Sequence, residues 1–269
     1  MRALIKASVR SPFTLEKAYY SGISFSVAAK ETAPMGIAFR TTGLKMYVIG
    51  ETSDAAHEYN LSTAWDISTA TFSQSFSVSA QDSRPDDLAF SSDGTRMFFP
   101  GVTGVAINEY GLSTAWDIST ASFTQSFSVV AEGDTPVGLA FKTDGTKMFT
   151  VDPAASNTKV FEYSLSATWD VSTATFVQSF NIAGQNQNPG GVAFSTSGTR
   201  MFVTAASGGE REINEYGLST AWDISTASFV RVLSVSDQDT QPDAVTFDTN
   251  GTRMYVVGVG NKKIYQYFL

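Results

Sequence analysis

The chain is a tandem repeat, and this repeat limits the folds open to it. The string LSTAWDIST occurs at residues 61–69, 112–120 and 218–226, and the variant LSATWDVST occurs at 165–173. Their tryptophans, 51, 53 and 53 residues apart, are Trp65, Trp116, Trp169 and Trp222. Proline, methionine and tyrosine recur in phase five times, and the units start at Pro34, Pro85, Pro136, Pro189 and Pro242. A period of this length is typical of propellers and solenoids.

Each unit contains four short strand patterns. In residues 34–84 the apolar run PMGIAFR is followed by the turn TTG, by KMYVIG, by AHEYNLS and, after TAWDISTAT, by FSQSFSVSA. The turn glycine supplies the positive φ that a tight hairpin needs. Four strands in about 50 residues, repeated, predict the blades of a β-propeller.

The two ends of the chain complete each other. The fifth unit stops after its third strand at KIYQYFL, whereas YYSGISFSV near the start matches a fourth strand. We therefore predict an all-β fold, a five-bladed β-propeller of four-stranded antiparallel blades, in which residues 19–30 supply the outer strand of the last blade. The propeller is expected to span residues 19–269, and residues 1–18 are expected to form an arm outside it.

Composition excludes several kinds of chemistry. The 269 residues include no cysteine and one histidine, His57, which excludes disulfides, thiol nucleophiles and polyhistidine metal sites. A net charge of −8 argues against nucleic acid as a partner, and no apolar run is long enough to insert in a membrane. Walker-type, dinucleotide and zinc motifs are absent from the sequence. We expect no cofactor and no metal, and His57 is expected at the surface or in a loop.

Two resemblances follow from these strings. PVGLAFKTDGTKMF (136–149) resembles the blade core of NHL-type and YVTN-type propellers, and this likeness implies the fold of residues 34–269. The LSTAWDIST string is similar to tandem repeats of tail, fibre and other virion proteins of marine bacteriophages. That resemblance implies a virion location and other virion proteins or sister subunits as partners; a secreted or cell-surface protein is the alternative.

The repeats differ between the two ends of the ring. The turns SDGT, TDGT and TNGT and the AWDIST connections, which we call the constant face, are near copies. The variable face comprises the blade-to-blade loops (28–34, 79–85, 130–136, 183–189 and 236–242) and the second-to-third-strand loops, and it diverges in every unit. On the constant face the tryptophans are expected to pack as apolar plates and the aspartates after them to cap turns. Ala38, Ala89, Ala140 and Ala193, with Thr246, are expected at the axis.

The polar groups of the variable face are the candidate binding residues. They are Arg84, Asp86, Asp87, Asp134, Asn186, Asn188, Asp239 and Asp243 around the opening, with Lys159 and Arg211 on the outer loops. Acids and amides around an opening suit a cation or a hydroxylated ligand such as a glycan. The alternative is a solvated rim.

Three function classes remain open. The preferred class is a non-catalytic virion structural or attachment protein, a phage tail, fibre or capsid-decorating component, that presents the variable loops to a host surface or another protein. A basic arm with Arg2, Lys6, Arg10 and Lys17 is expected to dock it on a neighbour. A multivalent glycan-binding lectin is the alternative. A glycoside hydrolase, with Asp86, Asp87 and Asp243 as carboxylates, is less favoured because Glu58, Glu109, Glu162 and Glu215 recur in phase as a structural element.

Overall fold

The computed structural model describes residues 12–153, 158–206 and 211–269, and these fold into five four-stranded antiparallel sheets. Four blades are contiguous in sequence. Blade 1 comprises β2 Pro34–Phe39, β3 Lys45–Gly50, β4 Ala55–Leu61 and β5 Ala70–Ser77. Blade 2 comprises β6 Ala89–Phe90, β7 Arg96–Gly101, β8 Ala106–Leu112 and β9 Ala121–Ser128. Blade 3 comprises β10 Gly138–Phe141, β11 Lys147–Asp152, β12 Lys159–Leu165 and β13 Ala174–Asn181. Blade 4 comprises β14 Pro189–Phe194, β15 Arg200–Ala205, β16 Glu212–Leu218 and β17 Ala227–Ser234.

Blade 5 closes the ring as predicted. It joins β18 Pro242–Phe247, β19 Arg253–Gly258 and β20 Lys263–Phe268 to β1 Tyr19–Ser26, with Tyr19 opposite Phe268 and Ser26 opposite Lys263. Because the last blade takes its outer strand from the start of the chain, the ring cannot open without breaking a sheet. The fold class and the closure are confirmed.

The helices within the described ranges are five single 3₁₀ turns, Leu15–Lys17, Ile67–Thr69, Ile118–Thr120, Val171–Thr173 and Ile224–Thr226. None of the helices in the described residues has the length to cross a membrane. The aspartate before each of the last four turns accepts the N–H of the second helical residue, as Asp66 does from Ser68 at 3.0 Å. The expected capping role is confirmed.

The repeated tryptophans lie between blades. Trp222 of blade 4, 7% exposed, stacks on Phe149 of blade 3, with ring centroids 6.2 Å apart. Each tryptophan lies over the glycine of its own blade's first turn; a Cβ on Gly198 would come within 2.2 Å of Trp222 Nε1. The aromatic plates therefore fill the wedges between sheets, as expected, and their faces are not free to stack on sugars.

Residues 13–18 also belong to the ring, although the sequence analysis assigns them to an arm. Phe13, 7% exposed, covers Gly251 as the tryptophans cover the other turn glycines, and its φ of 53° resembles their 61–64°. Leu15 N donates to Glu215 Oε2 at 2.9 Å, as Ile224 N donates to Glu162 Oε2 at 3.3 Å. The expected arm therefore does not reach residue 18, because its last residues supply the missing connection of blade 5.

A buried carboxylate connects each of four blades to the next. Glu162, 1% exposed, accepts from Lys147 Nζ at 2.6 Å and from Gln178 Nε2 at 2.8 Å. Lys147 Nζ also donates to the carbonyl of Trp222 in blade 4 at 2.7 Å. The equivalents are Glu58, Glu109 and Glu215, with Gln266 in blade 5. The prediction that these phased acids are structural is confirmed, and they are not available for catalysis.

Candidate functional site

The inner strands surround a cavity on the propeller axis. Its volume is about 250 Å³, and the small residues expected at the axis line it: Ala38, Ala89, Ala140, Ala193 and Thr246. Asp87 lines it toward the variable face, and Phe39, Phe194 and Phe247 line it at the ends of the inner strands toward the constant face. Asp248, which directly follows strand β18, also lines the cavity on the constant-face side. The cavity therefore has both apolar and polar walls, with a carboxyl group toward each end.

Asp87 occupies a position that holds glycine or alanine in every other blade. Its equivalents are Gly36, Gly138, Gly191 and Ala244. The strands are so close here that a Cβ on Gly36 would lie 2.6 Å from the Asp87 Cα. The Asp87 side chain, 6% exposed, accepts from Leu88 N at 2.8 Å and across the blade boundary from Leu139 N at 3.0 Å. It therefore joins the inner strands of blades 2 and 3.

Two further acids lie beside it at the variable-face end of the axis. Asp86 is 5% exposed and Asp243 is 7% exposed, and each directly follows the phased proline of its repeat unit. Asp86 Oδ1 and Asp243 Oδ2 are buried and accept no hydrogen bond from the described residues. We call Asp86, Asp87 and Asp243 the axial acid cluster. The structure thus brings together the three acids that were considered as the carboxylates of a glycoside hydrolase.

Burial and mutual repulsion favour the neutral forms of these acids. Burial, with the charges of Asp87 and Glu51, raises the pKa of Asp243 to about 8. Burial raises the pKa of Asp87 to about 7, although its two backbone hydrogen bonds oppose the shift. The pKa of Asp86 is raised well above its usual range by burial and by the charge of Asp243. The cluster can therefore retain protons at neutral pH.

A charged pair lies above the cluster. Arg84, whose side chain is 53% exposed, donates to Glu51 Oε1 through Nη2 at 3.0 Å and Nε at 3.1 Å. The carboxylate of Glu51 contributes to the raised pKa values of Asp86 and Asp243, and Arg84 lowers that of Asp86. Arg84 was predicted from the sequence as a binding residue, whereas Glu51 was not. Glu51 directly follows strand β3 and lies in the second-to-third-strand loop of blade 1, and this position on the variable face could have indicated it.

Two predicted ligand residues are structural instead. Asp239, 1% exposed, accepts from the backbone N–H groups of Gln241, Gly260 and Asn261 at 2.9–3.0 Å. Asn186, fully buried, donates through Nδ2 to the Thr204 carbonyl at 2.9 Å. Each side chain holds a blade-to-blade loop against a neighbouring strand or loop. Contrary to the expectation, neither residue lines the axial cavity.

The remaining candidates lie at the outer part of the variable face. Asp134 is exposed and accepts from its neighbour Thr135, while Asn188 and Lys159 are half-buried. Arg211 Nε donates to the carbonyl of Thr240 at 3.0 Å and thereby connects two loops. These residues share a face with the axial acid cluster but do not form one pocket with it.

The structure corrects the expectation for His57. It lies in strand β4, 3% exposed, and hydrogen-bonds to Ser53 and Ser75, so it is neither a surface nor a loop residue. Of the predicted arm residues, Lys17 lies in the 3₁₀ turn of blade 5. Arg2, Lys6 and Arg10 lie outside the described residues.

Across the described ranges, no three histidine, cysteine, aspartate or glutamate side chains are arranged to hold a metal ion. The axial acid cluster is not such a group, although two of its buried carboxylate oxygens, Asp86 Oδ1 and Asp243 Oδ2, accept no hydrogen bond from the described residues. Because their pKa values are raised, the acids of the axial acid cluster can bind and release protons near neutral pH.

Fold and site together define a five-bladed β-propeller with an acidic cluster at one end of its axis. No family model matches the chain, and no curated protein matches it. Solved structures are similar in fold: hydrazine synthase of Kuenenia stuttgartiensis at 15% identity and TM-score 0.53, covering 88% of this chain and 58% of that one. The nidogen/laminin complex gives 15% identity and TM-score 0.54, with coverage of 84% and 72%.

A third similar structure is a putative 6-phosphogluconolactonase from Bacteroides uniformis, at 12% identity and TM-score 0.51, with coverage of 83% and 63%. The chain thus spans less than two thirds of the hydrazine synthase and lactonase chains. At these identities the likeness concerns the propeller fold alone, because propellers support unrelated activities.

Proposed function

We propose that this propeller is a non-catalytic attachment protein whose variable face contacts another surface, and that it is a component of a virion. One observation carries the proposal: five blades with the same four-stranded pattern carry five different sets of loops on the variable face. A repeated scaffold with one variable face is suited to binding, since binding residues commonly lie on loops that a rigid scaffold positions.

The use of the repeated polar groups supports a binding role over a catalytic one. The phased glutamates are consumed in contacts between blades, and the phased aspartates cap 3₁₀ turns. Each residue of the axial acid cluster is less than a tenth exposed, so a polysaccharide cannot reach the carboxyl groups unless the surrounding residues move. Exposed charge on the variable face instead includes Arg84 and Asp134.

The virion location rests on the similarity of the LSTAWDIST strings to phage tail and fibre repeats. On this proposal the partners are a host surface and neighbouring virion proteins, and Arg2, Lys6 and Arg10 dock the chain on an acidic neighbour. Peptide mass mapping of purified particles tests the location. Recovery of the chain in particles, and its loss when these three residues are replaced by glutamate, are expected; a chain absent from particles contradicts this part.

Binding to intact cells tests the face. Fluorescently labelled protein with Arg84→Glu and Asp134→Lys keeps its net charge but alters the variable face. The control, Thr42→Lys with Ser92→Glu, also keeps net charge and changes two exposed turn positions of the constant face. We expect reduced cell binding with the first pair and unchanged binding with the second. The reverse pattern would refute the choice of face, and competition by a free glycan would favour the lectin.

A further inference from the structure

Blade 1 contains a chain of hydrogen bonds that joins a buried acid to an exposed serine. Ser53 Oγ donates to Glu31 Oε2 at 2.5 Å, and the same Oγ lies 2.8 Å from His57 Nε2. On the other side of the imidazole, Nδ1 lies 2.8 Å from Ser75 Oγ. His57 is 3% exposed and Glu31 is 1% exposed, whereas Ser75 is exposed on the outer strand β5.

The proton positions along this chain follow from the acid. Burial alone would raise the pKa of Glu31, but the polar hydrogens of His57 and Ser53 and the backbone N–H groups of Ala33 and Ser53 lower it to about 2. Glu31 is therefore an ionised acceptor and takes the single hydroxyl proton of Ser53. Ser53 Oγ must then accept from His57, so Nε2 carries the imidazole proton.

This assignment leaves His57 Nδ1 as an acceptor. Its partner is the hydroxyl of Ser75, which must donate. A serine hydroxyl that donates to a neutral imidazole, whose opposite nitrogen is held near a carboxylate, has the proton arrangement of a general base and its nucleophile. The distance from Nε2 to Glu31 Oε2 is 3.8 Å, so an imidazolium formed at His57 would be stabilised by that charge.

The other blades lack this arrangement, although they share its geometry. His57 and Ser75 are directly opposite on β4 and β5. The equivalent pairs are Asn108 with Ser126, Phe161 with Ser179, Asn214 with Val232 and Tyr265 with Ser24. Blade 2 thus holds a serine in the same place without an imidazole, which makes Ser126 an internal control within the same molecule.

We propose that Ser75 is a nucleophilic serine that accepts an acyl group from activated esters, with His57 as its general base. Ser75 Oγ forms a bond to the acyl carbon while its proton passes to His57 Nδ1. The bond between the acyl carbon and the leaving oxygen breaks, and the leaving group takes the proton from His57 and departs as an alcohol or phenol. The acyl group remains on Ser75 as an ester.

The test uses p-nitrophenyl acetate on the whole chain, with peptide mapping to measure acetylation at Ser75 and Ser126 separately. General-base assistance is worth on the order of 10²-fold or more, so we expect Ser75 to be acetylated at least about 100-fold faster than Ser126. Ser126→Ala should leave the Ser75 rate unchanged.

Two variants test the roles with substitutions that other blades already contain. His57→Asn copies Asn108, and Ser53→Gly copies Gly104, whose backbone N–H donates to Asp82 as that of Ser53 donates to Glu31. We expect His57→Asn to lower Ser75 acetylation to the Ser126 rate, and Ser53→Gly to reduce the Ser75 rate. Equal rates at Ser75 and Ser126 in the unaltered protein, or an undiminished Ser75 rate in a folded His57→Asn variant, would overturn the proposal.

Discussion

Replacing Asp243 by asparagine should stabilise the propeller, and the gain should grow with pH. Burial and nearby carboxylates raise the pKa of Asp243 to about 8, whereas an unfolded aspartate titrates near 3.9. Between these values the native state holds a proton that the unfolded state has released. The stability that this group contributes is therefore fully present below about pH 4 and is lost as pH rises toward 8. Asparagine is neutral throughout and has no such loss.

The magnitude follows from the linkage relation. One site can change the free energy of unfolding by at most about 1.4 kcal/mol per pH unit, or about 4 kcal/mol between pH 5 and 8. Asp86 and Asp87 share the same buried region and take up part of the titration, so we expect the gain of Asp243→Asn to increase by about 2–4 kcal/mol over this interval. The unpartnered Oδ2 of Asp243 means that the substitution breaks no hydrogen bond there.

Urea unfolding at pH 5 and pH 8, at one ionic strength, measures this gain. Asp134→Asn is the matched control, because Asp134 lies on the same face but is exposed, and its effect should be within about 0.5 kcal/mol at both pH values. A gain of Asp243→Asn that is equal at the two pH values, or a variant less stable than the unaltered protein at pH 8, would refute the electrostatic reasoning.

Substitutions at two further positions test the contacts between blades by thermal and urea unfolding. Glu162→Ala should cost about 3–5 kcal/mol because it leaves Lys147 without its carboxylate partner in a largely buried site, and a loss under 1 kcal/mol would show that the contact does not hold blades 3 and 4 together. Phe13→Ala should cost about 3–5 kcal/mol by removing the aromatic plate over Gly251, whereas Phe13→Trp, which copies the other blades, should cost far less. Similar losses for both Phe13 variants would contradict its role as the fifth plate.

The architecture was predictable because the same strand pattern recurs in five units of the sequence. The phase of Pro34 and its equivalents marks the inner strands, and the unmatched strands at the two ends define the closure. The role of Phe13 was not evident, because SPFTLEK shares neither tryptophan nor aspartate with AWDIST. An extra residue at Gly22, where φ is 84° and the β1 register shifts, also hides the common spacing.

The site was predictable in part. Asp87 could be selected because it replaces a glycine or alanine at the axis, and its neighbours Asp86 and Asp243 follow the phased prolines. Asp239 was placed wrongly because its residue type suits a ligand site equally well. What makes it structural is three backbone N–H groups, two of them supplied by a loop about 20 residues further along the chain. The burial of His57 could have been predicted from its phase in the third strand, because its equivalents Asn108, Phe161, Asn214 and Tyr265 are buried too. Its hydrogen bonds to Ser53 and Ser75 could not, because no other blade has an imidazole at this position.

The central claim is that the variable face makes the contacts of this protein and the constant face does not. Amide hydrogen exchange, measured for the protein alone and with cell-envelope fragments of the cells it binds, tests this claim most directly. We expect slower exchange in the blade-to-blade loops, such as residues 79–85 and 130–136, and no change in the turns at 92–95 and 143–146. Protection confined to those turns and to the AWDIST connections would contradict it.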